Sequence, residues 1–236
     1  MANQDREYGL IIGGETVAGE GSYDIVNPAT EQVVAAAPEA SVAQANSAVE
    51  AAGDAFDSWS RTKPEERAEL LNRAADLIDE HAEELIPLVV AETGATLRTT
   101  STIQVPQAAA RLRRYAAGAM EPTIDPLPPS VMPSTALAPG GLVSAAVNRA
   151  PVGVVACITS YNFPMVNMAG KIGPALAMGN PVVVKPAPQD PLGVIRMVEL
   201  MNEAGFPPGV INVVVGSEVG PSQAVVEHPR TDMISF

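Results

Sequence analysis

The stretch that decides the fold is Gly153–Pro186, GVVACITSYNFPMVNMAGKIGPALAMGNPVVVKP. The apolar run from Val152 to Ile158 has the length of a buried strand. A polar turn follows, Thr159-Ser160-Tyr161-Asn162, and then Pro164, which suits a first helical turn because its missing N–H costs little there. Met165, Met168, Ala169, Ile172, Ala175 and Leu176 recur at helical spacing. Gly179-Asn180 supplies a left-handed stop, and Pro181 to Lys185 (PVVVK) reads as a second buried strand. Strand, helix and strand make a βαβ unit, whose strands run parallel and whose crossover is right-handed. Open sheets of this kind bind ligands beyond the carboxyl ends of their strands. Two polar residues stand at those ends, Asn162 and Lys185.

The pattern continues downstream. A helix is expected from Asp190-Pro191 to Gly205, a strand over 210–215, a short helix over 218–227 and a further strand from Asp232 to Phe236. A chain that stops inside an apolar strand, with no helix to cover it, is expected to be truncated.

Upstream, Gly13-Gly14 lies between two apolar segments and predicts a hairpin, and Asn27-Pro28 turns a second strand pair. Both are expected to form a small surface ribbon. Helices are predicted from Ser41 to Trp59 and from Thr62, each opening on a capping box (Ser41 with Gln44, Thr62 with Glu65). A third spans 82–92, with a kink or late start at Pro87, and a fourth spans 99–119, with a bend at Pro106. The cluster Arg111, Arg113, Arg114 is expected on a solvated face of the fourth. Residues 121–140 carry six prolines and read as an exposed connector, and 141–150 read as an extended arm. Three parts result: a ribbon and helical part (1–123), a Pro-rich connector and arm (124–150) and the start of a Rossmann-like unit (151–236). The fold class is α/β, a Rossmann-like parallel sheet flanked by helices.

Composition narrows the function. A content of 47% hydrophobic residues suffices for a substantial core. The net charge of −13 argues against a nucleic-acid partner. The single cysteine, Cys157, excludes an intrachain disulfide, and His81 and His228 lie too far apart in sequence to suggest a zinc site. No run approaches the roughly 18–20 apolar residues of a membrane span, and the N-terminus lacks a signal-peptide layout. A cytoplasmic protein is expected.

Taken alone, each candidate residue has a plain structural role beside a functional one. Asn162 can cap a helix or, through its amide N–H, stabilise an oxyanion. Lys185 can snorkel to solvent or bind a ribose or phosphate. Cys157 sits among strand residues and reads as a buried thiol rather than an activated nucleophile. Gly216 and Gly220 bracket a strand-to-helix turn without matching the G-x-G-x-x-G dinucleotide fingerprint.

Several motifs occur together in order: SYNFPM (160–165), GKIGPALAMGNPVVVKP (170–186) and GFPPGVINVVVG (205–216), preceded by NPAT (27–30), RAELL (67–71) and AETG (91–94). In these the chain resembles the aldehyde dehydrogenase superfamily. The resemblance implies NAD- or NADP-dependent oxidation of an aldehyde to an acid. In that chemistry a Cys thiolate attacks the aldehyde, the thiohemiacetal passes hydride to the nicotinamide, and a Glu-activated water releases the acid. It implies that Asn162 is the oxyanion-hole residue and that Thr159, Ser160 and Tyr161 line the nicotinamide side. Lys185 would bind the adenosine ribose, with Ala187 and Pro188 in the loop beside it. Gly216 and Gly220 would lie near the adenine, and Phe236 just before the phosphate-contacting turn. It further implies homo-oligomers, dimers or tetramers, assembled through the arm.

Three departures from the family pattern stand out. Pro188 replaces the Glu that accepts the ribose 2′-hydroxyl in NAD-preferring members, so NADP is expected to be tolerated. Tyr161 stands where many members carry Trp. The phosphate turn, the general-base Glu and the nucleophilic Cys are expected beyond residue 236, which makes the 236-residue chain inactive by itself. The alternative is a non-catalytic cofactor-binding or assembly module. The Met165 and Met168 region is expected to give an apolar mouth to the substrate tunnel.

Overall fold

The computed structural model describes residues 6–236. In chain order its elements begin with β1 (Leu10–Ile12), β2 (Glu15–Val17), β3 (Gly21–Val26) and β4 (Val33–Glu39). Helices α1 (Val42–Trp59), α2 (Pro64–Glu80) and α3 (Ala82–Thr93) follow. A short α4 (Leu97–Thr99) runs through a π-helical turn, Thr100–Gln104, into α5 (Val105–Ala119). Then come β5 (Ile124–Met132), β6 (Gly141–Asn148), β7 (Val154–Ile158), α6 (Pro164–Ala177) and β8 (Val182–Lys185). The last elements are α7 (Leu192–Glu203), β9 (Ile211–Val213), α8 (Val219–Glu227) and β10 (Thr231–Ser235).

The main sheet has the order β10-β7-β8-β9-β1-β2, with β10, β7, β8 and β9 parallel. Val182, Val183 and Val184 are fully buried, as expected of a parallel strand covered on both faces. The sheet is mixed, because β1 pairs antiparallel with β9 through Ile11 and Val213. This corrects the expectation of a surface ribbon at the N-terminus: Leu10 and Ile11 are core residues, and the Gly13-Gly14 hairpin extends the main sheet. Asn212, wholly buried, holds that junction. Its Oδ1 accepts the Gly13 N–H at 2.8 Å and its Nδ2 donates to the Gly209 carbonyl at 2.7 Å.

Local chemistry explains most helix boundaries. Ser41 and Gln44 form the reciprocal capping box of α1. The second expected box does not form: α2 is capped by Lys63 without a side-chain bond, and Thr62 Oγ1 donates back to the Trp59 carbonyl at 2.7 Å. Pro87 neither delays nor ends α3, which starts at Ala82. The irregularity expected at Pro106 is the π-helical turn, which widens the helix just before the proline enters the first turn of α5. Gly179 adopts φ +83° after α6, and Asn180 Oδ1 accepts the N–H groups of Val152 and Gly153 ahead of β7.

The Pro-rich connector is itself a strand. β5 pairs antiparallel with β6 from Ile124 to Met132, and the register breaks between Leu127 and Ser130, at Pro128 and Pro129, which have no N–H to donate. This two-stranded ribbon stands apart from the main sheet with Ile124, Leu127, Val131 and Leu142 exposed.

Candidate active site

Strands β7, β8 and β9 are neighbours and parallel, so the turns after them share one edge, with adjacent strands about 4.8 Å apart. β7 has β8 on one side and β10 on the other. The chain passes from β7 through α6 to β8 on one side and returns from β9 through α8 to β10 on the other, so the strand order reverses beside β7 and opens a crevice at the carboxyl ends of β7 and β10. A cleft of about 420 Å³ lies there, lined on the sheet side by Ile158, Thr159, Ser160, Ser235 and Phe236.

Asn162 stands beside this cleft in the β7–α6 turn. It does not cap α6; Phe163 occupies that position, with φ −145° and no side-chain bond. Its Oδ1 instead accepts from Ser160 Oγ at 2.7 Å and from Asn167 Nδ2 at 3.5 Å. The carbonyl end of the amide is thereby occupied, and the exposed NH2 end makes no bond among the described residues. An amide held this way presents two donors to a ligand. Tyr161 is exposed, while Thr159 is buried with its Oγ1 unpartnered.

Lys185 ends β8. It does not snorkel to solvent; it is 5% exposed, and its Nζ donates to the Pro186 carbonyl at 2.9 Å. An ammonium carries three donors, so two remain free among the described residues. Burial pulls its pKa down to about 8, against the opposing charge of Glu39. Ala187 is buried and Pro188 half-buried in the following loop. Gly216 follows β9, and Gly220 lies inside the first turn of α8.

Glu39 is a residue that the sequence did not single out. Its carboxylate accepts from Ser217 N at 2.9 Å, Ser217 Oγ at 2.7 Å and Glu218 N at 3.2 Å, at the amino end of α8. Partial burial works to raise its pKa, but these bonds and the charge of Lys185 bring it below the usual carboxylate value. A Cβ at Gly216 would lie 2.5 Å from Glu39 Oε1, so only glycine leaves room for this carboxylate. No local signal marks the contact, which joins residues 178 positions apart.

Other expectations fall differently. Cys157 is wholly buried, and burial pushes its thiol up to about 12, in keeping with core packing. Met165 and Met168 are also wholly buried, so they form core and not an apolar mouth. The basic cluster on α5 is divided: Arg113 pairs with Asp76 and Asp79, Arg114 is exposed, and Arg111 reaches across to the Val166 carbonyl of α6 at 2.9 Å. Among the described residues no metal-binding cluster of His, Cys, Asp or Glu occurs, and no helix is long and apolar enough to cross a membrane.

The model of the aldehyde dehydrogenase family matches residues 16–236. The chain is 37% identical over 237 residues to a phenylacetaldehyde dehydrogenase of Pseudomonas fluorescens, covering 96% of this chain and 45% of that protein. It is 37% identical over 231 residues to the NADP/NAD-dependent aldehyde dehydrogenase PuuC of Escherichia coli, covering 96% and 45%. Among solved structures, HpcC from Thermus thermophilus superposes with a TM-score of 0.87 at 34% identity, covering 99% of this chain and 44% of that one. Betaine aldehyde dehydrogenase from Staphylococcus aureus in complex with NAD+ gives 0.85 at 31% identity, covering 97% and 44%. The chain thus spans less than half the length of these relatives. On this match, and on a fold shared across nearly all of its residues, the chain belongs to the aldehyde dehydrogenase family.

Proposed function

We propose that this chain supplies the oxyanion donor and part of the cofactor site of an NAD(P)-dependent aldehyde dehydrogenase that oxidises an aldehyde to a carboxylic acid. The observation that carries this reading is the pair Asn162 and Lys185. Both lie on the same carboxyl edge of the sheet, and both keep hydrogen-bond donors free among the described residues. Lys185 would hold the adenosine ribose, with Ala187 and Pro188 in the loop beside it and Gly216 and Gly220 near the adenine. Thr159, Ser160 and Tyr161 would border the nicotinamide side, and Phe236 would lie just before the phosphate-contacting turn. The dinucleotide, when bound, accepts two electrons from the substrate carbon. Asn162 would donate its N–H to the aldehyde oxygen as charge develops there, an interaction stronger in the transition state than in the ground state.

Thiol attack requires a thiolate that Cys157 does not provide, buried and with its pKa pushed up to about 12. Under this proposal the nucleophilic Cys and the general-base Glu come from residues outside this chain, and the 236 residues alone do not turn over aldehyde. The same observation favours a second reading, a cofactor-binding or assembly module without catalysis of its own. The proposed parts are 1–123, 124–150 and 151–236. The exposed apolar face of β5–β6 supports an oligomerisation role for 124–150, in a dimer or tetramer. A cytoplasmic location belongs to the same proposal. Position 188 carries no carboxylate to meet a 2′-phosphate, so both NAD and NADP are accepted.

Calorimetric titration tests the reading. NAD should bind the chain, and Lys185→Met should weaken it about 10–100-fold, the worth of a hydrogen bond to a charged group. Absence of NAD binding, or unchanged binding by the variant, overturns the cofactor assignment. Aldehyde oxidation by the chain alone overturns the assignment of the nucleophile.

A further inference from the structure

The cleft beside Asn162 has a second wall, formed by helices α5 and α6, and that wall is cationic. Arg111 and Lys171 line it, and none of the residues around the cleft is acidic, although the chain carries 27 acidic residues against 14 basic ones. Among the described residues neither cation has a carboxylate within ion-pair distance. Arg113, on the same helix, is satisfied by Asp76 and Asp79 at 2.6 and 2.7 Å. Arg111 spends one of its five donors on the Val166 carbonyl, which anchors the guanidinium over α6. Gly170 makes that position possible: a Cβ there would lie 2.5 Å from Arg111 Nη1. The arginine is therefore held in a slot that a glycine keeps open, in the wall of a cleft whose lining residues Ser160 and Asn167 both donate to Asn162.

From these observations we infer that the aldehyde substrate carries an anionic group, a carboxylate at the end of its chain, and that Arg111 is the residue that selects it. The inference rests on the assignment of Asn162 as the oxyanion donor. A guanidinium with unused donors in a partly desolvated cleft pairs well with a carboxylate. Lys171 adds positive potential to the same wall, and a neutral aldehyde gains nothing from either charge.

The test compares 6-oxohexanoate with hexanal, titrated into the ¹⁵N-labelled chain and followed at the Arg111 Nε–H and the Asn162 side-chain amide. The charged aldehyde should bind at least tenfold more tightly and shift both resonances, and this preference should shrink as salt is raised. Arg111→Met should bring the two affinities within about twofold of each other, and Arg111→Lys should keep part of the preference. Gly170→Ala retains the charge but places a methyl group where the guanidinium lies, and should also reduce the preference. If Arg111→Met loses its circular-dichroism spectrum, Gly170→Ala decides the matter. Equal affinities in the wild-type chain, or a preference that is undiminished in Arg111→Met and Gly170→Ala, overturn the inference. A parallel NAD titration separates the two levels: a chain that binds NAD without preferring the charged aldehyde refutes only the role of Arg111, whereas one that binds neither refutes the proposed function as well.

Discussion

Glu92 Oε1 accepts the backbone N–H of Gly193 at 2.8 Å, joining the end of α3 to the first turn of α7. Its other oxygen takes the Leu192 N–H at 2.7 Å. One wholly enclosed carboxylate thereby satisfies two donors of a helix amino end that lies inside the core. Asp190 sits nearby, almost fully buried, with Oδ1 unpartnered.

This acid pair should make stability depend on pH. Burial foremost, and then the charge of Asp190, raise Glu92 from 4.5 to about 8, and burial raises Asp190 from 3.8 to about 7. The folded chain therefore holds these protons more tightly than the unfolded chain. Their contribution is fully present below the unfolded pKa values and is lost as pH rises through the folded ones. The urea midpoint should fall between pH 5 and pH 8. Asp190→Asn should flatten that fall, and Glu92→Gln should flatten it while costing about 1–3 kcal/mol at pH 5, because an amide nitrogen would face one of the two N–H donors. An equal pH slope in wild type and both variants would refute the account.

Lys185 titrates in the opposite sense. Its lowered pKa means that the unfolded chain takes up the proton first as pH falls from 10.5 toward 8, so burying this lysine costs stability at neutral pH. Lys185→Met should raise the urea-unfolding free energy at pH 7 by about 1–3 kcal/mol even as it weakens cofactor binding. A lower unfolding free energy would indicate a structural role instead.

The same group should separate the two dinucleotides. A 2′-phosphate gains from the ammonium charge, whereas a ribose hydroxyl needs only a donor. Raising pH from 7 to 9 should therefore weaken NADP binding several-fold more than NAD binding, as measured by calorimetry. Parallel decline of the two would remove Lys185 from the ribose site.

Position 188 offers a direct check on cofactor choice. Pro188→Glu places a carboxylate in the loop after Lys185, where it can accept a ribose hydroxyl and repel a 2′-phosphate. The ratio of NAD to NADP affinity should rise at least tenfold. An unchanged ratio would show that this loop does not face the ribose.

Trp59 marks where α1 meets the core. It is 1% exposed, with its ring centroid 5.6 Å from that of Phe206. Trp59→Ala should cost about 3–5 kcal/mol in urea unfolding without altering the pH slope set by Glu92 and Asp190. A loss below 1 kcal/mol would mean that this part of the core closes around the gap.

The features legible from sequence were local. The βαβ unit from Gly153 to Pro186, the Ser41–Gln44 capping box and the Gly13-Gly14 hairpin each depend on residues close together in the chain, where periodicity, caps and turn chemistry operate. They were enough to place Asn162 and Lys185 on one sheet edge. Other features depended on packing between distant segments, which no local pattern encodes. β1 joins the main sheet because β9 offers it an edge. Glu39 meets Ser217 because Gly216 leaves space, and its charge acts on the buried Lys185. Arg111 leaves its solvated helix face because Gly170, on another helix, has no side chain to exclude it. The order of residues thus determined the elements and the shared edge of Asn162 and Lys185, whose bonds are local, whereas the contacts of Glu39 and Arg111 arose only when segments 55 to 178 residues apart were brought together.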